Sequence, residues 1–336
     1  MSNLNIEFMK KERRMVAKNN KHKRTNRAIK TARLGAGGGL LAVITLFPAA
    51  CDNTGDDDVR PVAARFSAGI NGLESRATET WWDKGDRIGV TGTCGSVEYK
   101  NVAHVVTNAA AGSFAVDNAT GTDNTIYFND DTPVTFTAYY PHAGNNGADA
   151  PVQTTRTTAK AQSAATQSAI DYLHATATGS KSAPDVEFAF THRMSRVVLS
   201  IKRGDGVASL ASLTGYTLAG FRLDGSFDPA TGTAEANASK SAESLAMPLA
   251  ATADSDAKVT SSLILYPQSV ATATFSVTLT VPDAQTFTAD LSIPDGKLEA
   301  GKSYAYNVTV SKTGITISKA TIGTWTDTQG GDATAK

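Results

Sequence analysis

The sequence predicts an all-β protein with two antiparallel β-sandwich domains in tandem. The dominant hydrophobic period is two, as expected for half-buried strands. Many short alternating runs are separated by turn residues, which is typical of a sandwich. Apolar periodicity of helical length is scarce. A chain of this length is also long enough for two ordinary domains.

The segment TPVTFTAYYP shows the alternation most clearly. The side chains predicted to face inward are Val134, Phe136, Ala138 and Tyr140. The opposite face carries Thr135, Thr137 and Tyr139. The segment TFSVTLTVP alternates in the same way from Phe275 to Val281. Both segments end at a proline, which cannot donate to a strand ladder.

The C-terminal segment YAYNVTVSKTGITIS contains two alternating runs around Lys312–Gly314, which predicts a hairpin. The stretch Thr157–Pro184 is polar and rich in small residues. We interpret it as a loop with one short helix around Ser168–Leu173, and we place a domain boundary near its end. The predicted domains are therefore 62–184 and 185–336.

The N-terminal 50 residues have the pattern of an export signal. They hold 11 Lys and Arg against two Glu, followed by 17 uncharged residues, Leu34–Ala50. That apolar run is short for a membrane span of about 20 residues. The alternative is a basic nucleic-acid-binding tail beside a core helix.

The charge of the remaining chain argues against nucleic acid as a partner. Without residues 1–50, the chain keeps 21 of 32 basic and 30 of 32 acidic residues, a net charge of −9. Nucleic-acid binding needs a basic surface. If Cys51 is modified, only Cys94 remains, and one cysteine cannot form an internal disulfide.

The export signal ends at Cys51 and resembles a lipoprotein signal. In that pattern the cysteine thiol is lipidated and becomes the mature N-terminus. Ala49 and Ala50 fit the small positions, whereas Pro48 stands where an aliphatic residue is usual. The acidic run 56–58 resembles a signal for transport to the outer face. It also fits a solvated tether over 51–61, because like charges repel one another.

Enzyme motifs and metal-ligand spacings are absent from the sequence, and we expect neither an enzyme nor a cofactor. A carboxylate pair for sugar hydrolysis stays open, because such pairs meet only in the fold. Asp86 is expected to cap the turn that starts at Gly85. Of Trp81 and Trp82, one is expected in the core. His192 is expected to form a hydrogen bond at a sheet edge or between domains.

Four segments carry a family resemblance. They are ESRATETWWDKGDRIGVTG, IYFNDDTPVTFTAYYPHAG, VEFAFTHRMSRVVLSIKRG and LEAGKSYAYNVTVSKTGITISKATIGTW, in this order. Together they resemble the fimbrillin family, the type V pilin-like surface lipoproteins of anaerobic Gram-negative bacteria. The resemblance spans about residues 64–325. It implies transthyretin-like sandwiches and a fimbrial structural subunit or tip adhesin at the outer membrane.

The resemblance also implies assembly by strand exchange. An Arg- or Lys-specific protease cuts after an early strand, which leaves a groove for a terminal strand of a neighbour. Val62–Ile70 is the candidate early strand, and ITISKATIGTW is the candidate donor. Arg76 is the first candidate cleavage site. Arg65 is second because it lies within the strand pattern, and Arg60 is disfavoured because Pro61 follows it.

The implied partners are other fimbrial subunits and, through the lipid on Cys51, the outer membrane. A second hypothesis remains open. The same chain could be a monomeric, lipid-anchored module that binds a glycan or a host protein without polymerising. The alternative to cleavage is that Arg60, Arg65 and Arg76 are ordinary surface charges.

Overall fold

The computed structural model describes residues 60–70, 82–118, 121–249, 258–279 and 285–325. The predicted signal and tether, with Cys51, lie outside these ranges. Arg76 also lies outside them.

Within the described ranges the chain is built from strands, which confirms the all-β prediction. The strands up to His192 are β1 (Val62–Ala63), β2 (Arg65–Ile70), β3 (Arg87–Cys94), β4 (Val97–Asn108), β5 (Ser113–Val116), β6 (Tyr127–Phe128), β7 (Val134–Tyr140), β8 (Gln153–Arg156), β9 (Leu173–Gly179) and β10 (Asp185–His192). The later strands are β11 (Ser195–Arg203), β12 (Leu213–Phe221), β13 (Asp224–Asp228), β14 (Thr233–Ala236), β15 (Glu243–Pro248), β16 (Lys258–Leu265), β17 (Gln268–Ser269), β18 (Thr274–Leu279), β19 (Gln285–Asp290), β20 (Lys297–Leu298), β21 (Lys302–Ser311), β22 (Gly314–Ile317) and β23 (Thr321–Thr324).

Helical structure in the described ranges is confined to short 3-10 turns. These turns are Gln167–Ile170, Leu210–Ser212 and Pro294–Gly296. No helix in the described parts of the chain is both long and apolar enough to cross a bilayer.

Seven strands of the N-terminal part close into a barrel in the order β10-β2-β5-β4-β3-β7-β9. Its neighbours pair antiparallel except for β10 and β2, which run parallel. The barrel encloses a core that includes Phe66, Phe136 and Phe188. Phe136 has no exposed surface, and its ring contacts Phe66 and Phe128 edge-on at 5.3 and 5.7 Å.

Two larger sheets form the C-terminal part. One has the order β16-β11-β21-β22, with β23 also paired to β21, and the other has the order β15-β12-β18-β19. Strands β11 and β21 are parallel, whereas the remaining pairs in these two sheets are antiparallel. A second core contains Leu199, Phe275 and Tyr306. The division of the chain into domains 62–184 and 185–336 stays a prediction.

A third cluster of buried residues joins the barrel to the later sheets. Tyr139 and Tyr172 come from the barrel side, and Phe227, Tyr266 and Trp325 come from the C-terminal part. Rings of Tyr172 and Phe227 stack at 4.6 Å with an interplanar angle of 7°. The two parts are therefore held together by aromatic packing and by the antiparallel ladder between β8 and β13.

The loop predicted over Thr157–Pro184 is wrong in its second half. β9 lies there, between β7 and β10 of the barrel. Apart from Leu173, its inward residues are small, so the hydrophobic alternation is weak. Ala177 faces Phe136 and Ala175 faces Ala138 across the β7–β9 ladder. The helix expected over 168–173 is reduced to the 3-10 turn Gln167–Ile170.

Tyr139 also departs from its prediction. Residues on the inward face of β7 are buried as expected, but Tyr139 on the opposite face is buried too. Its hydroxyl lies 2.8 Å from both Asn101 Oδ1 and the Ala143 carbonyl oxygen. The loop after β7 and the third cluster cover this face, and strand alternation cannot reveal such a cover.

Candidate functional site

Most of the predicted early strand, β2, forms part of the barrel wall. The early strand consists of β1, which pairs with β6, and β2, which lies between β10 and β5. The β10 side is a parallel ladder along all six residues of β2. The β5 side is an antiparallel contact of only two residue pairs, Phe66 with Phe114 and Ser67 with Ser113. β2 is therefore paired along its whole length with β10 but over only a short length with β5.

Few side chains anchor β2 in the core. Phe66 and Ala68 are buried, whereas Ala64 and Ile70 are partly buried, as the predicted alternation requires. Phe66 makes the main contact. Its ring stacks on Phe188 of β10 at 5.6 Å.

Trp82 adds a polar contact from outside the strand. Its indole Nε1 donates a hydrogen bond to the Ala68 carbonyl oxygen at 3.0 Å. On the other side, the Ala68 amide donates to the Gly112 carbonyl oxygen at 2.8 Å. Gly112 has a φ of +58°, and a Cβ there would lie 2.1 Å from the Ala68 oxygen. Glycine thus permits both the turn and the close approach.

A cleft of about 480 Å³ lies where β5 diverges from the start of β2. Ala64, Phe66, Phe114 and Ile126 supply apolar lining, and His104 lies at its inner wall. The cleft runs beside the strand that the proposed mechanism removes.

His104 is the buried titratable group of this region, with 3% of its surface exposed. Its ring contacts Phe66 edge-on at 4.8 Å. Burial lowers the pKa of His104 to about 4, against an opposing hydrogen bond with the Val102 carbonyl oxygen. The neutral imidazole is therefore the form that fits beneath β2.

Arg65, the second candidate cleavage site, lies within β2. Its guanidinium contacts Asp185 of β10 through two hydrogen bonds, Nε to Oδ1 at 2.5 Å and Nη2 to Oδ2 at 2.8 Å. Its backbone amide also donates to the Pro184 carbonyl oxygen. A protease needs an extended segment free of its ladder, so this position is protected while β2 is paired.

The predicted C-terminal hairpin is confirmed. Ser311 of β21 pairs with Gly314 of β22, which leaves a two-residue turn. Both β22 and β23 pair with the same edge of β21. Of the proposed donor isoleucines, Ile315 and Ile317 are partly buried and Ile322 is 45% exposed.

Other site expectations are also resolved. Asp86 accepts a hydrogen bond from the Asp83 amide at 2.8 Å, which confirms its role in the turn. Trp82 is buried in the core, and Trp81 lies outside the described ranges. His192 is bonded through Nδ1 to Asp171 at 2.8 Å, as predicted. Within the described ranges, no cluster of three or more His, Cys, Asp or Glu side chains is placed to hold a metal.

Sequence reasoning missed His104, Trp82 and Asp185 as neighbours of the early strand. Nothing in the local sequence distinguishes His104 from the other histidines. The parallel pairing of β10 with β2 brings Asp185 to Arg65 across 120 residues, and no local pattern encodes it. The Trp81–Trp82 pair predicts one buried tryptophan, but it does not indicate the hydrogen bond to Ala68.

Comparison with known proteins places these features in a family. A family model described as fimbrillin-like matches residues 75–325. A Bacteroides uniformis protein, named as fimbrium subunit Fim1C, is 28% identical over 311 residues, covering 88% of this chain and 96% of that protein.

Two crystal structures of proteins named for cell adhesion share the fold. One, from Bacteroides ovatus, has a TM-score of 0.69 and 30% identity, and the match covers 80% of this chain and 99% of that one. The other, from Bacteroides uniformis, has a TM-score of 0.61 and 25% identity, with 79% and 99% covered. The family model covers well over half of the sequence, so the chain belongs to the fimbrillin-like family.

Proposed function

We propose that this protein is a subunit of a fimbrium, carried to the outer membrane as a lipoprotein and assembled by protease-triggered strand exchange. The observation that carries the proposal is that β2 is held by a full ladder on the β10 side alone. This strand has a short ladder with β5, one large buried side chain, Phe66, and a cleft along its start.

A cut after β2 would change how strongly this strand is held in its groove. Burying a Phe-sized side chain stabilises a strand by about 1.5–3 kcal/mol. While the chain is intact, tethering keeps β2 at a high effective concentration beside its groove. A cut near Arg76 removes that advantage, and β2 then competes with strands from other molecules on its own contacts.

The proposed donor is the C-terminal segment with β22 and β23. Ile315, Ile317 and Ile322 are larger than the alanines of β2, yet in their own chain they are only partly buried or exposed. Moving them into an apolar groove would therefore bury surface that the monomer leaves in water. A strand added to an exposed sheet edge also gains a backbone ladder.

The test is digestion of purified protein with an Arg-specific protease, followed by size-exclusion chromatography with light scattering. We expect the wild type to lose an N-terminal fragment and then to form multimers. Arg76→Ala should remain monomeric, and Arg65→Ala, the matched control, should assemble like the wild type.

A gel of material sheared from cells provides a second measurement, in which a fimbrium should give a heat-labile ladder of subunit multiples. If the cut protein loses β2 and stays monomeric, or if uncut protein polymerises equally well, strand exchange is wrong. A monomeric binding module would then be the better description.

A further inference from the structure

The last described residue, Trp325, is attached to the molecule differently from the strand before it. All four residues of β23, Thr321–Thr324, are exposed. Trp325, which follows directly, is only 3% exposed. The ladder with β21 supplies hydrogen bonds to β23, but Trp325 supplies the deep apolar contact at this end of the segment.

The pocket of Trp325 is made by His192 and its surroundings. The two rings stack at a centroid distance of 3.9 Å with an interplanar angle of 4°. The Arg196 guanidinium lies 5.4 Å from the centre of the Trp325 ring. The Trp325 amide donates to the Gly301 carbonyl oxygen at 2.7 Å. Stacking, a nearby cation and a backbone bond thus fix one indole orientation.

The orientation of His192 is itself set by the barrel. His192 ends β10, and its Nδ1 lies 2.8 Å from Asp171 Oδ1, just after the 3-10 turn Gln167–Ile170. This contact ties the pocket to two segments of the N-terminal part. Trp325 therefore connects the end of the C-terminal segment to the barrel.

We propose that Trp325 is a latch that keeps the β22–β23 segment in its own chain, and that His192 is the positioning residue of the latch. The regulatory role of this latch rests on the proposed function, because the β22–β23 segment has to leave its own chain only if it is the donor strand. In that scheme the segment cannot be donated until Trp325 leaves the His192 ring, so the latch keeps the free subunit from offering its strand.

The latch can be tested on the intact, uncut protein by hydrogen exchange measured with mass spectrometry. In Trp325→Ala, the amides of residues 321–324 should exchange at least about tenfold faster, because β23 loses its buried anchor. Ile322→Ala is the matched control, since it removes an exposed apolar side chain from the same strand and should change exchange by less than about threefold. Amides of β3 and β7 report whether the barrel stays folded.

Two further variants separate the latch from a general loss of stability. Trp325→Phe keeps a stacking ring and should restore most of the protection, whereas His192→Gln should loosen residues 321–324 while leaving β3 and β7 protected. Equal exchange at 321–324 in wild type, Trp325→Ala and His192→Gln would overturn the latch. Loss of protection spread evenly over the barrel in His192→Gln would also overturn it.

Assembly after protease treatment then distinguishes the two proposals. Faster multimer formation by Trp325→Ala than by wild type would support both. Loosened amides in a protein that never forms multimers would leave the latch intact and refute strand exchange. Multimer formation at the wild-type rate by a variant with loosened amides would contradict the regulatory role of the latch.

Discussion

At the residue scale, Phe136 shows how closely the barrel interior is packed. It has no exposed surface and touches Phe66 and Phe128. A Cβ on Gly92 of the neighbouring strand would lie 2.4 Å from its ring. Because Gly92 has no side chain, there is room for the Phe136 ring beside it.

Phe136→Ala should lower the free energy of unfolding by about 3–5 kcal/mol, because it removes a fully buried ring. Thr137→Ala, on the opposite face of β7, should cost less than half of that. Urea denaturation followed by circular dichroism measures both. Equal losses would mean that the faces of β7 are assigned wrongly.

His104 should make the stability of the protein depend on pH. Its folded-state pKa of about 4 lies below the ordinary value of 6.5, so folding favours the neutral ring. The stability that neutral His104 contributes is fully present above about pH 6.5. As the pH falls toward 4, the free energy of unfolding decreases by at most about 1.4 kcal/mol per pH unit from this group. Denaturation at pH 7.5 and pH 5 measures the loss.

The control for this prediction is His104→Gln, which cannot titrate and should show a smaller loss between the two pH values. Some loss should remain, because burial also lowers the pKa of His174 to about 4. An unchanged pH dependence in His104→Gln would remove His104 as the cause.

At the element scale, β2 is held partly by a residue that lies on the other side of the proposed cleavage site. Trp82 lies after Arg76 in the chain, so a cut at Arg76 leaves Trp82 on the body of the protein and β2 on the fragment. The bond from Trp82 Nε1 to the Ala68 oxygen then joins two separate chains. The rate of fragment release depends on contacts of this kind.

Trp82→Phe should speed release of the cut fragment by about three- to tenfold, because a hydrogen bond contributes about 0.5–1.5 kcal/mol. The phenyl ring keeps part of the packing on Phe114, Tyr140 and Phe190. Mass spectrometry of the cut protein over time gives the rate. Tyr99→Phe, which removes a hydroxyl that accepts a hydrogen bond from the Tyr127 amide of β6, should change the release rate less.

The elements that could be predicted from sequence are those whose inward residues are large. β7 and the β21–β22 hairpin were found because Phe, Tyr, Val and Ile alternate with polar residues. β9 was missed because alanines take its inward positions opposite Phe136 and Ala138. The parallel contact of β10 with β2 was missed for another reason, since a pairing across 120 residues leaves no local pattern.

At the scale of the whole molecule, we propose that lipidation of Cys51 sets where the protein resides. Metabolic labelling with a fatty acid should mark the wild type and leave Cys51→Ser unlabelled, because small residues and an apolar run precede Cys51 as in a lipoprotein signal. Cys94→Ser is the control and should keep the label, since the Cys94 thiol is buried. Label retained on Cys51→Ser would refute the anchor.

The two strands beside β2 differ in their direction relative to it, and this difference would affect any filament built from this chain. β2 runs parallel to β10 and antiparallel to β5, so a substitute strand reproduces both ladders only when it enters in the same direction. Strand exchange would then align every subunit alike, with one vacant slot at one tip and one unused strand at the other. Such a contact is heterologous and does not close into a ring unless its rotation allows it. The filament would be polar, and a subunit that lacks one of the two features would stop its growth at one tip.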